Sequence, residues 1–314
     1  MRLERSLLSG LAIGLLTLAI APTQARAWCQ MTSYSGRRLP EEEGLCILTA
    51  NHPGESVLAW RRRCTAISLS SAQPSATLSM DEVRGVFQRS IASWTSVDCG
   101  GATTGLSVDV LTDTNLCASA SHNRDGRNVH SVMFIQEGWV SERRLSNRAF
   151  AVTLVWHNSE TGEIYDSDML LNDSATGSRG NFRICSEDAC TRDPGGPFDV
   201  DLENIVTHEM GHYFGVAHTE SINLDATMLE SAPPGERLKR SLEEDDMLAI
   251  CSIYAPGTLP ESCDNTPRGG LALDCQAHNC GCATPGLPSS SGPIGVASLV
   301  GLLAMVWVRR KRSA

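Results

Sequence analysis

Two hydrophobic rhythms alternate along the chain. After Ser79-Met80-Asp81-Glu82, the residues Val83, Val86, Phe87, Ile91 and Trp94 recur three or four apart, the spacing that lays apolar side chains on one face of a helix. Shorter runs surround it. Thr65–Leu69 reads as a strand, Leu106–Leu111 alternates as a half-buried strand does, and Ser131–Ile135, Phe150–Trp156 and Ile164–Leu171 are apolar runs of strand length. Between the last two, His157–Gly162 supplies turn chemistry. Residues 172–197 are polar and interrupted by glycine and proline, which predicts a long loop pinned by a local Cys185–Cys190 pair. Helical spacing returns over Phe198–Phe214, with Ile205, Val206, Met210 and Phe214 for its buried face, and over Ser241–Tyr254, where Ser241 and Glu244 make a capping box. No internal repeat is visible.

The two ends follow neither rhythm. Residues 1–27 carry Arg2 and Arg5, an uncharged apolar run and Ala25-Arg26-Ala27, the pattern of a signal peptide cut after Ala27. Ala283–Val308 has no charge, Ile294–Val308 is strongly apolar, and Arg309-Arg310-Lys311-Arg312 follows at once. That order predicts a helix in the inner membrane with its basic end in the cytoplasm. Five segments are expected: a signal peptide (1–27), an N-terminal segment (28–63), the main domain (64–258), a stalk rich in Cys, Gly, Pro and Ser (259–291), and a membrane helix with a basic tail (292–314). Gly281-Cys282, the apolar helix and the arginine cluster resemble the myxobacterial C-terminal sorting tail (MYXO-CTERM). That resemblance implies delivery to the cell surface or the medium, with the helix removed.

The net charge is −10, and both ends are basic, so the body between them is more acidic still. Nucleic acid is therefore excluded as a partner. Twelve cysteines in an exported chain predict disulfides rather than free thiols.

Three of the eight histidines fall within THEMGHYFGVAHTE, residues 207–220. His208 and His212, four apart on a helix, project from one face and can each place a ring nitrogen on one metal ion. Gly215 can end that helix in a left-handed conformation, which turns the chain so that His218 reaches the same ion. Three imidazoles leave one position of a tetrahedral zinc for water, the composition of a catalytic site. Glu209, beside the first ligand, is placed to take a proton from that water and return it to a leaving amine. The full HExxHxxGxxH pattern arises by chance in roughly one such sequence in ten thousand, which outweighs a reading of the three as ordinary core histidines.

HEMGHYFGVAH, followed by Ala226-Thr227-Met228, resembles the metzincin zinc proteases, in particular their matrixin branch. The likeness extends more loosely from Cys64 to about Ala255, through the Trp94 helix, TGEIYDSDMLLN (161–172) and LEEDDMLAICSIY (242–254). It implies an α/β (α+β) fold, a twisted mixed sheet packed with an active-site helix and a C-terminal helix. It makes Met228 the residue packed beneath the zinc ligands, without binding metal. It also implies that the strand near Ile164–Leu171 lies at the sheet edge and pairs with the substrate backbone. The chain departs from the family in lacking a PRCGxPD cysteine switch and in having Leu229 after Met228. His122, His130 and His157 lack the spacing of a second, structural zinc site. The acidic loops Asp166–Asp173 and Asp188–Asp201 are calcium candidates. The expectation is an exported, monomeric zinc metalloendopeptidase that takes peptide or protein substrates, with Glu209 as general base. Two rivals stay open: a catalytically silent surface adhesion or binding module, against which Glu209 argues, and a cell-wall peptide amidase with the same residues.

Overall fold

A computed structural model describes residues 28–33, 56–174, 181–186, 190, 199–219, 225–233 and 235–274. The expected signal peptide, the membrane helix with its basic tail and most of the long loop before residue 199 lie outside these residues.

A five-stranded mixed sheet organises the described chain. Its strands are β2 (Cys64–Ser70), β3 (Ser107–Asn115), β4 (Ser131–Ile135), β5 (Ala151–His157) and β6 (Ile164–Asn172), in the order β3-β2-β4-β6-β5. The first four neighbours run parallel and β5 is antiparallel to β6. Helix α1 (Met80–Thr95) makes the crossover between β2 and β3. Ser79 starts it, accepting from the Glu82 amide while Glu82 accepts from the Ser79 amide at 2.8 Å. The apolar stripe Val83, Val86, Phe87, Ile91 and Trp94 is buried against the sheet and helix α2 (Leu202–Tyr213). On the opposite face Met133, Ile135, Val152 and Leu170 pack under Trp139, Leu145 and Ala149.

Three expectations need correction. The strand at Ile164–Leu171 is not at the edge: β6 is interior, and among the described residues the edge next to it belongs to β5. Both strands are apolar and joined by a tight turn, so periodicity alone does not tell which one of the pair faces outward. Helix α2 starts at Leu202, because Asp199–Asp201 forms a short strand, β8, parallel to β7 (Asn181–Arg183). Helix α3 is Glu244–Ile253, and its capping box is Glu243 with Asp246 rather than Ser241 with Glu244. Ser241 instead closes a single 3-10 turn, Leu238–Arg240, through its amide to the Leu238 carbonyl.

The segments flanking the main domain also pack on it. β1 (Cys29–Gln30) pairs with β9 (Val216–Ala217), and Trp28, Met31, Leu58 and Trp60 belong to the principal core. Residues 259–274, stalk-like in composition, are fastened by the Cys64–Cys263 disulfide, by an Asn128–Leu271 bridge and by Arg268 lying 4.2 Å over the Tyr165 ring. Cys99–Cys251 ties the region after α1 to α3, and Cys185–Cys190 closes the expected local loop. Cys29 and Cys117 are also disulfide-bonded, so every described cysteine is paired, which points to an oxidising compartment. No helix among the described residues is long and apolar enough to cross a membrane.

Candidate metal centre

Helix α2 is held rigidly before it presents anything. Asp201 caps it, accepting from the Asn204 amide at 3.0 Å, and the Arg240 guanidinium grips both Asp201 oxygens at 2.6 Å. Trp94 Nε1 donates to the Thr207 carbonyl and Trp60 Nε1 to the Tyr213 carbonyl, each at 2.8 Å. Every α2 residue from Asn204 to Tyr213 is buried.

His208 and His212 leave the same face one turn apart, and Gly215 at φ +88° bends the chain after the helix as its position requires. A side chain at Gly215 would also strike the Leu58 carbonyl oxygen, so glycine is needed there twice over. The turn returns His218, whose Nε2 lies 3.2 Å from His208 Nε2 and 3.1 Å from His212 Nε2. The other nitrogen of each helical histidine faces a carbonyl: His208 Nδ1 meets Thr227 O at 2.7 Å and His212 Nδ1 meets Val216 O at 2.9 Å. A carbonyl only accepts, so both Nδ1 atoms carry the proton and both Nε2 atoms present lone pairs to the common point. Burial pushes both imidazoles toward the neutral form, His208 well below its usual range and His212 down to about 4. Nitrogens about 2.0–2.1 Å from a tetrahedral zinc stand roughly 3.3 Å from one another. The three histidines therefore fit a zinc ion in spacing, and the two on the helix fit it in protonation state as well.

Glu209 sits beside them on the same helix, 4% exposed. Its Oε2 accepts a hydrogen bond of 2.6 Å from the Thr153 hydroxyl on β5. Burial pushes its carboxyl up to about 7 against the opposing pull of Thr153. Met228 packs under the ligand helix: a Cβ on Gly211, between the two helical histidines, would collide with Met228 Sδ and crowd Trp94. The Met228 turn is fixed by Asp246, whose carboxylate accepts from the amides of Thr227 (2.7 Å) and Met228 (3.0 Å). Thr227 in turn supplies the carbonyl that orients His208.

Thr153, Asp246 and Gly211 were not singled out by sequence reasoning. Thr153 carried one available signal, as the lone polar residue in the apolar run AVTLVW; Asp246 looked like one of several acids opening a helix. His122 and His130 meet at a single buried carboxylate, Asp166, at 3.0 and 2.6 Å, while His157 Nδ1 has no partner among the described residues. The described carboxylates of the calcium-candidate loops accept protein donors: Asp168 from Ser121 and Ser131 amides, Asp173 from Ala76 and Asp201 from Arg240.

Two imidazoles from a buried helix and a third from the turn that follows it, converging beside a mixed sheet, make the arrangement of a zinc metallopeptidase. Residues 120–255 match the family model of the matrixins, a span that takes in β4 to β6, α2 and α3 but neither β2 nor α1. The match is thus narrower than the looser likeness from Cys64. A comparison with curated proteins finds no match.

Proposed function

We propose that this protein is an exported metalloendopeptidase that hydrolyses peptide bonds, with Glu209 as its general base and His208, His212 and His218 as the zinc ligands. The observation that carries the reading is a buried carboxylate on the helix that also supplies two of three imidazoles meeting at one point. Zinc, when bound, polarises the scissile carbonyl and acidifies a water. Glu209 takes the proton as the water oxygen attacks the carbonyl carbon, then gives it to the amine nitrogen as the C–N bond breaks. His208 and His212 keep their orientation through the Thr227 and Val216 carbonyls, and Met228 and Gly215 shape the ground beneath and after the ligand helix. The edge of β5, unpaired among the described residues, offers backbone groups to an extended peptide, which suits a protein substrate better than nucleic acid. The chain acts as a monomer on the outer side of the inner membrane, after a signal peptide is removed at Ala27. The apolar stretch near the C-terminus holds it there until the tail is processed.

The full exported protein tests this directly. One zinc per chain is expected, with cleavage of an unfolded protein that a chelator abolishes. Glu209→Gln keeps the zinc and lowers turnover by about three orders of magnitude or more. A variant that cleaves at the parent rate removes Glu209 from the reaction, and a zinc-loaded parent that cleaves nothing points to a binding module.

A further inference from the structure

Glu209 has three rotatable bonds and two chemically equivalent oxygens, yet a proton carrier must present one oxygen at one place. The structure divides the carboxylate. Oε2 is taken by the Thr153 hydroxyl at 2.6 Å, and Oε1 has no partner among the described residues. The Thr153 oxygen also lies 3.3 Å from the Glu209 backbone carbonyl, but a hydroxyl has one proton and the shorter, charge-assisted contact takes it. Thr153 is 1% exposed, so water does not compete for that bond.

The donor is as well fixed as the acceptor. Thr153 is β-branched and stiff at χ1. It sits in mid-strand, opposite Met169 of β6 and between buried Val152 and Val155. It therefore presents its hydroxyl from the sheet, and Glu209 reaches it from the helix. We infer that Thr153 is a positioning residue for the proposed hydrolysis: it anchors one carboxylate oxygen of Glu209 so that the other faces the attacking water. This rests on the reading of Glu209 as general base.

The test uses the full exported protein with Thr153→Val, which keeps shape and branching without the hydroxyl, and Thr153→Ser, which keeps the hydroxyl. On a fluorogenic peptide taken from a cleavage site in an unfolded protein, Thr153→Val is expected to lower kcat about 10- to 100-fold. KM stays within about twofold and zinc per chain is unchanged, since no ligand or substrate contact is removed. Thr153→Ser returns kcat to within about threefold of the parent. In a Glu209→Gln background Thr153→Val costs nothing further, because the carrier it positions is gone. A parent-like kcat for Thr153→Val, a Ser variant as slow as Val, or an undiminished loss in the Gln background overturns the inference. A readout independent of turnover is the thermal midpoint of Thr153→Val, Glu209→Leu and their double variant, where shifts that fail to add reveal the hydrogen bond and strictly additive shifts refute it. A zinc-loaded parent without activity sinks the hydrolase reading, while the midpoint cycle still decides whether Thr153 holds the carboxylate.

Discussion

At the scale of single residues, the centre is a set of polar groups forced into protonation states by burial. Glu209 shows this most clearly, because its carboxyl is pushed up to about 7 in the protein without metal. A group raised above its unfolded value near 4.5 contributes stability below that pH and loses it as pH rises through the folded value. Metal-free parent and metal-free Glu209→Gln should therefore have similar relative stability near pH 4.5. The Gln variant should gain steadily toward pH 7 and hold its advantage above, by an amount on the order of 3 kcal/mol. Denaturant midpoints measured across that range check it, and a difference independent of pH would contradict the assignment. Zinc should shrink the effect, since a nearby cation favours the ionised carboxylate.

At the scale of elements, the ligand helix is distinguished from its neighbour by what its glycine touches. Gly85 in α1 and Gly211 in α2 are both helical, and in a bare helix each would be improved by alanine by about 1 kcal/mol. A Cβ on Gly85 meets only the end of the Arg89 side chain at 3.4 Å, so Gly85→Ala should raise the thermal midpoint. A Cβ on Gly211 runs into Met228 Sδ and Trp94, two buried groups with no room to retreat. Gly211→Ala should instead destabilise by about 1–3 kcal/mol and weaken zinc binding, because the displaced Met228 turn carries the Thr227 carbonyl that orients His208. Calorimetry and a competition assay with a zinc indicator measure both. Equal gains from the two alanines would show that Met228 does not press on the helix.

At the scale of the whole molecule, long-range covalent links hold the periphery to the sheet. Cys64–Cys263 spans 199 residues and Cys99–Cys251 spans 152, so each closes a very long loop in the unfolded chain. Replacing Cys99 and Cys251 by serine should cost about 5 kcal/mol on the loop-entropy estimate. The loss should appear as a lower denaturant midpoint while the zinc content of the folded fraction is kept, since neither cysteine contacts the centre. A reducing agent should move the parent in the same direction.

The sequence alone determined the interactions that are local. Two histidines four apart on a helix must share a face, a glycine after the helix allows the turn that His218 needs, and the α1 stripe fixed which side of that helix is buried. Helix starts were less legible, because Asp201 gains its capping role partly from Arg240, 39 residues away, and Asp246 spends its carboxylate on Thr227 and Met228 as well as on its own helix. Tertiary structure alone decided that β5 rather than β6 carries the open edge, that residues 28–33 and 259–274 join the body, and that Thr153 meets Glu209. The physical reason is common to all of these. Helical spacing and backbone turns are set within a few residues, whereas strand order and the partner of a buried hydroxyl are settled when distant segments compete for the same apolar surface and the same hydrogen bonds.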